Sequence, residues 1–93
     1  MSADIQAADR AAPSVVFELS ADPNPGLLPR LVQPFARRNL VPERFAARLQ
    51  GGCLKVEIGL AAAPPAALRL IEGNLRQIIG VREIRRRVRL YSV

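Results

Sequence analysis

Hydrophobic and polar positions recur with two different periods along this chain, and the switches between them mark out six elements. From Ser14 to Ser20 the sequence SVVFELS places Val15, Phe17 and Leu19 on one side and Val16, Glu18 and Ser20 on the other, which predicts a strand. Past Asp22, Pro23, Asn24, Pro25 and Gly26 the spacing lengthens. Leu27, Leu28, Leu31, Val32, Phe35 and Ala36 then form one stripe on a helix that starts at Gly26 or Leu27. Pro29 falls in its first turn, where backbone N–H groups lack intrahelical partners and a missing one costs little. Pro34 lies deeper, and it is expected to kink the helix or cost about 3 kcal/mol. Arg37 and Arg38 oppose the negative dipole end, and Asn39 can take a left-handed exit.

The period of two then returns twice. Phe45, Ala47 and Leu49 alternate with Arg44, Ala46 and Arg48, while Leu54, Val56, Ile58 and Leu60 alternate with Lys55, Glu57 and Gly59. These read as two half-buried strands, and Gly51 and Gly52 between them supply the positive φ angles of a tight antiparallel hairpin. Pro42 limits only the start of the earlier one. A second helix is expected to open near Pro64 and Pro65, bury Leu68, Ile71, Leu75, Ile78 and Ile79, and stop at Gly80. Gly73 inside it costs about 1 kcal/mol relative to alanine. Ile84, Val88 and Leu90 finally share one face against Glu83, Arg85, Arg87 and Arg89, with Arg86 intruding on the apolar side, which suggests a fourth strand at a sheet edge.

Strand, helix, strand, strand, helix, strand is the order of an α+β, ferredoxin-like βαββαβ fold, a four-stranded antiparallel sheet with both helices on one face. Its other face would be open, polar and basic, carrying Glu18, Arg44, Arg48, Lys55, Glu57, Arg85, Arg87 and Arg89. Residues 1–13 are Ala-rich and aperiodic and read as a loose tail, with one domain over 14–93.

Composition narrows the picture. At 93 residues one core can be closed and a second cannot. Four aromatic residues leave that core to Leu, Val, Ile and Ala. The net charge of +6, from fourteen Lys+Arg against eight Asp+Glu, attracts nucleic acid, phosphates or an acidic protein face, although arginine also keeps a small domain in solution. Cys53 is the single cysteine, so an intramolecular disulfide is impossible and a reducing cytoplasm is the expected home. Residues 1–13 carry Asp4, Asp9 and Arg10 and lack the apolar run of a signal peptide, and no stretch is apolar enough to span a membrane.

Catalysis has little to stand on. The chain has no histidine, no Cys-x-x-Cys pair and scattered carboxylates, so neither a metal site, a cofactor nor a general acid–base pair is expected and the chain reads as a non-enzyme. Cys53 reads as a packing residue. The loop from Asp22 to Leu28 is the most informative segment. Free N–H groups of Gly26, Leu27 and Leu28 at a helix start could receive a carboxylate or phosphate, and the same loop could equally serve only to begin the helix. The run from Arg82 to Arg89 could contact nucleic-acid phosphates, be a solvated edge, or dock a larger acidic partner. Sheets that read single-stranded RNA stack bases on aromatics, and here Tyr91 alone could serve, which argues against nucleic acid.

Asn24, Pro25, Gly26, Leu27 and Leu28, followed by Leu31, Val32, Phe35, Arg38 and Asn39, resemble the opening of an ACT domain, in which a strand leads through a Pro-Gly-x-Leu turn into a helix. The resemblance continues through Val41 to Leu49 and Leu75 to Ile84, covering nearly all of residues 14 to 90. Among ACT proteins the chain is most similar to the small regulatory subunits of acetolactate synthase, in their short single-domain form.

That resemblance implies a regulatory protein of branched-chain amino-acid synthesis. It implies a homodimer with joined sheets, an amino-acid effector at the dimer interface beside Asp22, Asn24, Pro25, Gly26, Leu27 and Leu28, and a large thiamine-diphosphate-dependent catalytic partner. Arg44, Arg48, Arg85, Arg87 and Arg89 would be the partner-docking residues. Pro23 and Val41 stand where amino-acid-responsive members carry effector-holding asparagines, and neither side chain can hydrogen-bond an effector, so valine sensitivity is not implied. A stand-alone ACT-type amino-acid sensor and an RNA- or DNA-binding module are the alternatives.

Overall fold

Six elements follow one another in the expected order: β1 (Ser14–Ala21), α1 (Leu27–Ala36), β2 (Arg44–Gln50), β3 (Cys53–Ala61), α2 (Pro65–Arg76) and β4 (Val81–Arg89). The structure, a computed structural model, describes residues 14–89. The expected tail over 1–13, together with Leu90 and Tyr91, lies outside the described residues, as does the side chain of Arg89.

The four strands form one antiparallel sheet in the order β2-β3-β1-β4, the ferredoxin-like arrangement. β1 is central, pairing with β3 from Ser14↔Ala61 to Ala21↔Leu54 and with β4 from Ser14↔Arg89 to Ser20↔Glu83. The β4 register then shifts, so that Ala21 meets Val81 and Arg82 is left without an opposite residue. Gly51 and Gly52 turn the β2–β3 hairpin with φ of 60° and 72°, angles at which a Cβ is strained.

On the helix side, Phe17, Leu19, Leu54, Val56, Ile58, Leu60 and Ile84 meet Leu27, Leu31 and Phe35 of α1 and Leu68, Ile71 and Leu75 of α2 in a single buried cluster. Each such side chain contributes about 1.5–3 kcal/mol when fully removed from water. Phe17 and Phe35 meet edge to face with ring centroids 6.0 Å apart.

Two expectations need correction. α2 ends at Arg76, four residues before Gly80; Ile78 is half-buried at its exit and Ile79 is 86% exposed, because the chain has already left the helix and turned. Pro34, where a kink or a cost was expected, is buried within α1, which runs two residues past it and closes through Arg37, Arg38 and Asn39, the last at φ 56°. The second correction concerns β2. Phe45, Ala47 and Leu49 do point to the helix side, as their partners Ile58, Val56 and Leu54 show, yet no residue of β2 joins the buried cluster. Phe45 is 39% and Leu49 69% exposed, since neither helix covers this edge.

Candidate functional site

The β1–α1 corner is held by its own residues. Asn24 Oδ1 accepts the Gly26 N–H at 2.9 Å, and the Asn24 carbonyl accepts the Leu27 N–H at 3.0 Å. Two of the three donors expected to be free for an anion are therefore engaged inside the loop, because the short asparagine side chain reaches the backbone two residues on before any ligand can. Pro29 has no N–H, which leaves that of Leu28. The Leu27 side chain is sealed in the core, Leu28 is packed at its margin, and Asn24, Pro25 and Gly26 are exposed. Gly26 sits at φ −71°, so its place in the loop rests on no unusual backbone angle.

Asp22 is the corner's anchor. Its N–H donates to the Gly80 carbonyl at 2.8 Å, and its Oδ1 accepts from Arg82 Nε at 2.7 Å. The register shift in β4 aims the Arg82 side chain at this carboxylate, a use of a strand irregularity that residue spacing does not reveal. A Cβ on Gly80, at φ 105°, would stand 3.6 Å from Leu27 and 3.9 Å from Asp22, so corner and turn fit closely.

The open sheet face is a grid of charge. One cross-sheet row reads Arg48, Lys55, Ser20, Glu83; the next reads Ala46, Glu57, Glu18, Arg85; the third reads Arg44, Gly59, Val16, Arg87. Arg44 Nε donates to Glu57 Oε1 at 2.6 Å, and Arg87 Nη2 lies 2.8 Å from Glu18 and 3.5 Å from Glu57. Lys55 Nζ donates to the Ser20 hydroxyl at 2.9 Å and Arg48 Nε to Gln50 Oε1 at 3.3 Å. A hollow of about 440 Å³ opens over the first two rows. Arg86 points the other way, 3.5 Å from Glu72 on α2, which Arg76 also contacts at 2.8 Å.

Of the five docking arginines expected from sequence, Arg44, Arg48, Arg85 and Arg87 share this face, and Arg89 closes β4 opposite Ser14. No hydrogen bond or ion pair joins these four to the Asp22–Leu28 corner. Glu18, Lys55 and Glu57 lie on this face as their alternation indicates, joined by Ser20, and the register adds which of them stand opposite one another. Among the described residues no group of three His, Cys, Asp or Glu side chains is placed to hold a metal, and no helix is long and apolar enough to cross a membrane. Cys53 is half-buried with its Sγ 3.5 Å from the Ala21 carbonyl.

No known family profile matches the chain, and no curated protein matches it in sequence. Solved structures do match in fold. The ACT domain of GTP pyrophosphokinase from Chlorobium tepidum is similar with a TM-score of 0.67 at 11% identity, over 78% of this chain and 95% of that one. The C-terminal domain of the MgtC protein from Mycobacterium tuberculosis is similar with a TM-score of 0.68 at 12% identity, over 83% and 87%. The ligand-free regulatory subunit of aspartate kinase from Thermus thermophilus gives 0.61 at 18% identity, over 82% of this chain and 50% of that one. At these identities the likeness shows the shared fold, a scaffold that hosts different functions.

Proposed function

We propose that this chain is an ACT-type regulatory subunit that forms a homodimer and binds a large thiamine-diphosphate-dependent acetolactate synthase subunit, acting by complex formation and not by bond making. The observation that carries the reading is the bare side of β2. Phe45, Ala47 and Leu49 are exposed on the helix side of an edge strand whose outer backbone groups have no partner strand among the described residues, in a fold shared with ACT domains. An edge of that kind is a template for a second chain. The Asn24-Pro25-Gly26-Leu27-Leu28 resemblance supports the same family reading. An amino-acid effector at the corner would either be received by the Leu28 N–H or displace Asn24 from Gly26.

Co-expression with a large synthase subunit from the same genome tests the proposal. Co-purification and a change in synthase activity are expected; no complex together with unchanged activity overturns it. Calorimetric titration of the isolated chain with branched-chain amino acids separates this reading from a stand-alone sensor. The nucleic-acid alternative is disfavoured by the open face itself, which carries no aromatic side chain among the described residues.

A further inference from the structure

Two like-charged pairs stand directly opposite one another on the open face, and the chain treats them differently. Glu18 faces Glu57 across β1 and β3, and Arg87 and Arg44 neutralise both carboxylates. Arg48 faces Lys55 across β2 and β3, and no carboxylate of the described residues comes within ion-pair distance of either. Like charges placed directly opposite in a sheet repel, so the second pair is an unrelieved cost in the free chain. Arg85, on the far edge strand and opposite Glu18 in the β1–β4 ladder, likewise makes no ion pair among the described residues. All three cations line the same hollow of about 440 Å³, within the size range of small-molecule sites.

We propose that Arg48, Lys55 and Arg85 form a binding site for a small phosphorylated ligand carrying at least two negative charges, seated on the open sheet face. The neutral groups around the cations orient them for this. Ser20 holds Lys55 through its hydroxyl and Gln50 holds Arg48 through its amide oxygen, so both side chains are positioned without being neutralised. Ala46 leaves room between Arg48 and Arg44 on β2. Two guanidinium groups can each grip a phosphate with paired N–H donors, and an ammonium adds a point charge. Glu83, across Ser20 from Lys55, is the one carboxylate of the lining without an ion pair; it sets the orientation of a ligand by excluding phosphate from the β4 end of the first row. The hollow favours a small ligand over a single-stranded nucleic acid because it offers no stacking surface. The inference gives Arg48 and Arg85, which the family resemblance implied as partner-docking residues, a small ligand instead, and it does not depend on the apolar β2 strip, which faces the other side of the sheet.

The test is a titration of the full chain with inorganic pyrophosphate at fixed ionic strength, followed by heteronuclear NMR and calorimetry. Saturable one-to-one binding is expected, with side-chain shifts at Arg48, Lys55 and Arg85, at least tenfold weakening in Arg48→Gln and in Arg85→Gln, and no weakening in the control Arg30→Gln on α1. Ala46→Glu, which places a carboxylate in the hollow of an exposed edge strand, should abolish binding while leaving the circular dichroism spectrum unchanged. Non-saturable shifts spread over all arginines, or equal weakening in Arg48→Gln and Arg30→Gln, would overturn the proposal. So would saturable binding of single-stranded RNA under conditions where pyrophosphate does not saturate.

Discussion

Glu18 and Glu57 stand directly opposite each other in the β1–β3 ladder, with the guanidinium of Arg87 reaching both, at 2.8 Å and 3.5 Å. Two carboxylates in that position repel, and one side chain from β4 converts the repulsion into a cross-sheet tie. Since Arg87 is about half exposed (49%), the tie is screened by water and modest in size. Arg87→Ala is therefore expected to lower stability by about 0.2–1 kcal/mol. Adding Glu18→Gln should recover part of that loss, because the carboxylate left facing Glu57 is gone while Glu57 keeps Arg44. Urea unfolding of the single and double variants measures the coupling; strictly additive losses would remove the bridging role.

The hairpin glycines make a sharper prediction. Gly51 and Gly52 both have positive φ, and no atom lies within 4 Å of a Cβ built on either. The cost of a side chain there is backbone strain and not collision. Gly52→Ala is expected to destabilise by about 1 kcal/mol, and Gly51→Asn to be close to neutral, as Asn-Gly suits this turn. Thermal melts of the two variants give the comparison.

The aromatic pair in the core sets the scale of the whole fold. Phe17→Ala or Phe35→Ala removes one half of the edge-to-face contact and leaves a cavity, a loss of about 3–5 kcal/mol. Against a total stability of about 5–15 kcal/mol, either variant should be largely unfolded at moderate urea concentrations where the parent chain is intact. Phe35→Leu should retain the fold with a lowered midpoint.

At the β1–α1 corner, Asn24→Ala removes the acceptor of the Gly26 N–H. Faster hydrogen exchange at Gly26, with a stability loss of about 0.5–1.5 kcal/mol, is the expected result, and Asn24→Asp should keep the bond. Unchanged exchange at Gly26 in Asn24→Ala would show that the loop does not depend on this contact.

Element order, the hairpin and the composition of the open face were legible because each rests on period-two spacing or on a residue with one conformational role. Gly51-Gly52 can hardly be anything but a tight turn, and Arg85 and Arg87 had to share a side with Glu83. The bare flank of β2 was not legible. Alternation reports which way Phe45, Ala47 and Leu49 point, and is silent on whether a helix lies above them. Ile79 misled for a related reason: it continues the helical spacing of Ile71 and Leu75, but the helix ends at Arg76, so the spacing outlasts the structure. The engaged donors of Gly26 and Leu27 were hidden because Asn24 could be read as a loop shaper without showing where its oxygen points.

Asp22 also binds the two corners of the molecule into one piece. Its N–H is held by Gly80 and its carboxylate by Arg82, so the turn that launches α1 is fastened to the turn that follows α2. The start of one helix and the exit of the other are thereby yoked at one residue, so that Asp22 is the shared footing of both connections.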